Sequence, residues 1–170
     1  IGQVEVSGLT YRTTAPWMFT GEAYATVKDE GPIAIALAAF VVLLLLLIDL
    51  RSISAALRAY MPLLAGILIS LGLISALGFS LNLFNIVVLP VMFGIGVDTA
   101  VHLTHRRREG ATVSVMLSKS GKAAALSALT TAVGFASLLS VPSEGLRSIG
   151  WVALIGVVVT TATTMLGITA

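Results

Sequence analysis

The chain has 170 residues, 57% of them hydrophobic and 11% charged, with a formal net charge of +2 and a mean hydropathy of +1.03. A charged fraction about half that of a soluble domain excludes an ordinary water-soluble globule, and so small a net charge excludes the broad basic surface of a nucleic-acid binder. Because the sequence holds no cysteine, disulfides, thiolate metal sites and cysteine nucleophiles are excluded as well.

Four uncharged stretches, 31–48, 59–97, 123–143 and 148–170, each reach the ~20 residues that cross ~30 Å of hydrocarbon. The second would be about 58 Å long as one helix at 1.5 Å per residue, so it folds back on itself. Gly78-Phe79-Ser80-Leu81-Asn82 is the expected break, a helix-stopping glycine followed by a short polar turn. The expected fold is an all-α membrane protein of five transmembrane helices.

In chain order, Val4, Val6 and Leu9 alternate with polar residues and are followed by Pro16 and Trp17, the pattern of a strand-containing segment. Residues 1–30 are read as the end of an extracytoplasmic α+β domain leading into the membrane. Within them, 20–30 is read as helical, with Thr20 as N-cap and Glu22 in the first turn. Span one is expected over about 31–50, its Leu43–Leu47 block apolar all round as suits a lipid-facing helix. Arg51–Tyr60 reads as an amphipathic connector, with Pro62 in the first turn of span two, about 61–77, where no amide donor is needed. Span three, about 83–105, runs directly into Arg106-Arg107-Arg108-Glu109-Gly110. Residues 111–121 place Val113, Met116 and Leu117 on one side, as in a short interfacial helix. Span four follows over about 122–141, a turn at Pro142-Ser143-Glu144-Gly145, and span five over about 146–170. A start at Ile1 and an end at Ala170 inside an apolar run read as a piece of a longer protein.

Basic residues are distributed unevenly over the two ends of such a bundle. One end holds seven, Arg51, Arg58, Arg106, Arg107, Arg108, Lys119 and Lys122, and the other three, Arg12, Lys28 and Arg147. The richer end is expected to be cytoplasmic, which places the amino-terminal segment outside.

Seven of the eight acidic residues fall in the amino-terminal segment, in loops or at span ends, and Asp98 alone lies inside a span. It sits eight residues before Arg106, or ~12 Å along the helix, too deep for a short carboxylate to snorkel. A charge at that depth is expensive and marks a pairing, a protonated group or a hydrated path. A structural aspartate bonded to a neighbouring helix is the plainer alternative. Pro90, Gly94, Asp98 and His102 recur every four residues and share one face. Gly94 and Gly96 open room for another helix, and Pro90 is expected to free a carbonyl and kink the span. Loss of water favours a protonated carboxyl, the property a proton relay exploits. His102, one turn nearer the basic end, is a second candidate relay group, against the alternative of an ordinary interfacial histidine, which is the reading given to His105. A metal site at these histidines lacks acidic ligands other than Asp98. In span four, Ser127, Thr130 and Thr131 lie among small residues and are candidates to bond Asp98; back-bonding to their own helix is the competing reading.

The run GIGVDTAVHLTHRRREG, 94–110, resembles the fourth or tenth transmembrane helix of RND-superfamily transporters, especially the MMPL and hopanoid-exporter branch. LNLFNIVVLPVMFGIGVD before it and SALTTAVGFASLLSVPSEGLRSIG after it are similar to the same family in the same order, over about residues 31–170. The resemblance implies one half of a two-half secondary active transporter, not an enzyme. That transporter would export a lipid or other hydrophobic molecule from a bacterial inner membrane, driven by the proton-motive force. It implies Asp98 as the proton-relay carboxylate, with Thr99 where many relatives carry Tyr, and no cofactor. The implied partners are membrane lipids, the hydrophobic substrate and the other half, with a homo-oligomer left open and no nucleic acid. The related SecD and SecF translocation subunits and a sterol-sensing-like lipid-binding module are the competing readings. An intramembrane aspartyl protease needs a second membrane carboxylate that this sequence lacks.

Overall fold

The structure, a computed structural model, describes residues 2–6, 9–13, 16–79 and 87–169, with side chains from Asp29 onward. Strands β1 (Gly2–Val6) and β2 (Leu9–Thr13) form an antiparallel hairpin in which Val6 pairs with Leu9 and Gly2 with Thr13. The regular elements that follow it among the described residues are helices: α1 (Pro16–Leu50), α2 (Ile53–Ala76), α3 (Val88–Arg108), α4 (Val113–Met116), α5 (Lys122–Ala136) and α6 (Glu144–Thr169). A π turn, Leu117–Gly121, joins α4 to α5, and a 3₁₀ turn, Ser137–Ser140, ends α5. Among the described residues five helices are long and apolar enough to cross a membrane: Asp29–Leu50, Ile53–Ala76, Val88–Arg108, Val113–Ser140 and Glu144–Thr169.

The span count agrees with the sequence, but several helix ends do not. Pro16 opens α1, the position where its missing amide costs nothing, so Thr20 lies inside the helix and is not its cap. The helix then continues through Gly31 and Pro32. No separate connector precedes span two: α2 starts at Ile53, so Arg51–Tyr60 is mostly its first turns and Pro62 is interior. The whole reversal from α1 to α2 is made by Arg51 and Ser52, with Arg51 in the left-handed region at φ 47°. Within the segment 111–121, residues 113–121 are not a separate helix but run on into α5. They open a continuous 28-residue stretch, Val113–Ser140, that is long and apolar enough to be span four. In the described residues α3 begins at Val88, which puts Pro90 in its first turn. The carbonyl that an amide at position 90 would reach, that of residue 86, lies outside the described residues. Residues 80–86, where the Ser80–Asn82 part of the turn and the start of span three from Leu83 were expected, lie outside the described residues.

Helix α6 packs on α2, α3 and α5 through a stripe of Gly150, Ala153, Gly156, Val157, Thr160, Thr161, Thr164 and Ile168, all buried. Lipid tails are as apolar as a protein core, so helices associate here by close packing of small residues. Gly66 of α2 lies against the Thr160 backbone, and Gly96 of α3 against Leu63 and Thr160. Helix α1 shows how an all-apolar sequence divides its faces. Val42, Leu46 and Leu50 point into the core at four-residue spacing, whereas Ile33, Leu37, Phe40, Leu44 and Ile48 are exposed. The Leu43–Leu47 block is therefore not wholly lipid-facing, since Leu46 is fully buried within it.

At the basic end the carboxyl termini of α1, α3 and α6 converge. Arg108 Nη1 donates to the Leu50 carbonyl at 2.6 Å, and Arg107 Nη1 donates to the carbonyl of Ile168. The last carbonyls of a helix have no intrahelical donor and carry the negative end of its dipole; at Leu50, where α1 ends, Arg108 satisfies both conditions. His105 Nε2 lies 2.7 Å from Asp49 Oδ2, tying α3 to α1.

Candidate functional site

Helix α3 packs on α1, α2, α6 and the π turn, and along its remaining face a cavity of about 490 Å³ separates it from α5. Gly94, Asp98, Thr99 and His102 line one wall, and Ser120, Ala123, Ala124, Ser127 and Thr131 line the other. The four-residue spacing of Gly94, Asp98 and His102 produces the first wall directly, because side chains one turn apart stack on one face. The opposite wall is shallow because the residues facing the gap are alanines and hydroxyl residues.

Asp98 Oδ1 stands 3.8 Å from His102 Nε2, within ion-pair reach but beyond a good hydrogen bond. His102 is the charged or titratable side chain that the described residues bring to Asp98. Their side chains are 77% and 70% exposed respectively. That exposure is the central physical fact of the site. A carboxylate in the middle third of a spanning helix is not stable against lipid, so its open side requires water or further protein.

The other residues singled out in the sequence divide between this wall and elsewhere. Thr99 is buried, 6% exposed, and reaches the cavity edge. Gly96 points away from the cavity into the contact with α2 and α6, while nothing lies within 4 Å of the position a Cβ would take on Gly94. Thr130 and Thr131 do not bond Asp98: their Oγ1 atoms donate to the Ser127 carbonyl at 2.8 and 2.9 Å. Back-bonding of this kind satisfies a hydroxyl inside its own helix. Of the three hydroxyl residues, Ser127 and Thr131 line the cavity and Thr130 does not.

Two features escaped sequence reasoning. One is the Asp49–His105 pair, whose members sit 56 positions apart; the available signal was that both fall at the same end of adjacent spans. The other is the π turn, which carries Ser120 into the cavity wall. Single π turns often mark functional positions in helices, and here nothing in the LSKSG sequence distinguishes it from an α-helical turn.

The model of the MMPL family matches residues 3–168. Over 107 residues, 63% of this chain, the sequence is 38% identical to the hopanoid transporter HpnN of Burkholderia multivorans. It is 36% identical over the same length to the hopanoid transporter HpnN of Rhodopseudomonas palustris. The matched stretch is 12% of the length of each of those relatives.

Proposed function

Because this chain belongs to the MMPL family, we propose that it is the membrane-embedded, energy-coupling part of a proton-driven exporter of lipid or another hydrophobic molecule. The observation that carries this reading is Asp98: a carboxylate deep in a spanning helix, open to a cavity and accompanied by one histidine. Asp98 takes up and releases the proton, and His102, one turn toward the basic end, hands it to or from the cytoplasm. Thr99 and Ser127 supply hydroxyls at the cavity edge, while Gly94 and the alanines of α5 leave space for water or for the other half of the transporter. Proton passage changes the charge on α3, and a single charge moved across 100 mV is worth ~2.3 kcal/mol, enough to bias two packings of a helix bundle. The two hopanoid transporters to which the chain is similar support a polycyclic or similarly bulky lipid as cargo.

The test is proton-gradient-driven lipid transport by the full-length protein in proteoliposomes. Asp98→Asn keeps the shape and removes the titration, and is expected to reduce gradient-driven transport to background while leaving expression and folding intact. His102→Ala is expected to slow it about a hundredfold or more, the scale of losing a positioned proton donor. Wild-type transport by Asp98→Asn would overturn the coupling role.

A further inference from the structure

A second cavity, about 450 Å³, opens at the basic end and is lined by Arg58 of α2, Arg107, Arg108 and Thr104 of α3, and the last turns of α6. No carboxylate lines it among the described residues. The acids at this end are engaged elsewhere, Asp49 with His105 and Glu109 with Arg106. Three guanidinium groups thus share one cavity, and no carboxylate among the described residues lining it offsets their charge.

The arginines are also held in place. Arg58 Nε donates to the carbonyl of Ser54, Arg108 to that of Leu50, and Arg107 to that of Ile168. Each guanidinium carries five N–H donors, so anchoring uses one and leaves the rest in fixed directions. A second, independent observation comes from Thr104. It is only 7% exposed, it lines the same cavity, and its Oγ1 is buried without a hydrogen-bond partner. Thr163 and Thr169 bond carbonyls of their own helix, while Thr160, Thr161 and Thr164 in the packing stripe of α6 share the unpartnered state of Thr104; of these four, Thr104 is the one that lines the arginine cavity.

We infer that this cavity binds the phosphate headgroup of an anionic phospholipid. It lies at the end of the spans, where headgroups are found, and its size falls in the range of small-molecule sites. Arginine forks match phosphate oxygens in pairs, and Thr104 supplies a neutral donor at the inner wall. The headgroup binds across α2, α3 and α6, joining the helix that carries Asp98 to the two that pack behind it. This site is separate from the Asp98 cavity and does not depend on proton coupling.

Native mass spectrometry of the full-length protein, exchanged into detergent with defined phosphatidylglycerol or phosphatidylcholine, tests it. The wild type is expected to retain phosphatidylglycerol in preference to phosphatidylcholine. Arg58→Gln is expected to weaken that retention about fivefold, and the Arg58→Gln/Arg107→Gln pair about thirtyfold. Thr104→Val, which leaves charge unchanged, is expected to weaken it several-fold, whereas Lys119→Gln, basic but outside the cavity, leaves it within twofold. Retention of the lipid against millimolar inorganic phosphate supports a lipid occupant, and displacement by phosphate would overturn it. Equal losses in Lys119→Gln and Arg58→Gln, or no loss in both Arg58→Gln and Thr104→Val, would also overturn the assignment.

Discussion

Individual positions in this bundle differ sharply in what they tolerate, and the glycines make the difference measurable. A Cβ on Gly96 would collide with Leu63 and come within 3.0 Å of Thr160 Cγ2, and Leu63 is fully buried and cannot move aside. Gly96→Ala is therefore expected to destabilise the protein by about 1–3 kcal/mol, the range for overpacking, read as a lowered unfolding temperature in detergent. Gly134→Ala, in α5 with nothing within 4 Å, is expected to leave it unchanged or slightly raised, since alanine is the better helix former. The sequence marked Gly94 and Gly96 alike as places of close approach, and of the two only Gly96 makes such a contact among the described residues. Asp98 was legible because one charge in a long apolar run stands out whatever surrounds it. The Asp49–His105 pair was not, since contact across 56 positions depends on how two spans are turned toward each other. Both side chains are nearly half exposed, so His105→Ala is expected to cost less than about 1 kcal/mol of stability, visible as a small shift in the same unfolding measurement.

Among the elements, span four carries the most specific prediction. Its α4 part buries Met116, and after the π turn its α5 part buries Ala128 and Ala132. The extra residue in the π turn sets the angle between those two contacts. Each residue of an α-helix turns about 100°, so inserting one alanine after Lys122, inside the α-helical part and beyond the π turn that could absorb it, rotates Met116 and the α5 face apart. Either Met116 leaves the core or Ser127 and Thr131 leave the cavity wall. The expected result is a protein that still inserts in the membrane but loses transport, checked by comparing membrane-fraction yield with proteoliposome flux. Periodicity exposed the helical content of span four but divided it wrongly, because Lys119 and Lys122 resemble a helix boundary in sequence. In the fold they sit on exposed positions of a continuous span. Pro62 misled in the same way. It suggests a helix start, yet α2 passes through it, and its ring packs where Gly167 of α6 leaves room.

At the scale of the whole molecule, three contacts bring the carboxyl ends of α1, α3 and α6 together: Arg108 with Leu50, Arg107 with Ile168, and His105 with Asp49. The bundle is thereby polarised, with one basic end and one end that carries the Glu144–Arg147 turn. The positive-inside bias gives an expected labelling pattern for single cysteines in a cysteine-free background. Thr112→Cys, exposed at the basic end, should react with a membrane-impermeant maleimide only after the cytoplasmic side is opened, and Ser143→Cys should react on intact cells. The reverse pattern would invert the orientation.

The sequence by itself determined the number of spans and the polar stripe on α3. Hydrocarbon thickness demands about twenty apolar residues per crossing, and helical periodicity alone puts Gly94, Asp98 and His102 on one face. Tertiary structure decided which face of each apolar helix meets protein and which meets lipid. It also decided that the end of α1 is capped by a distant arginine, Arg108, and that Asp98 opens onto a gap and not into a partner helix among the described residues. The physical reason is that lipid and protein core are equally apolar, so hydropathy carries no information about direction, and only the fit of small residues such as Gly66 and Gly96 against α6 supplies it.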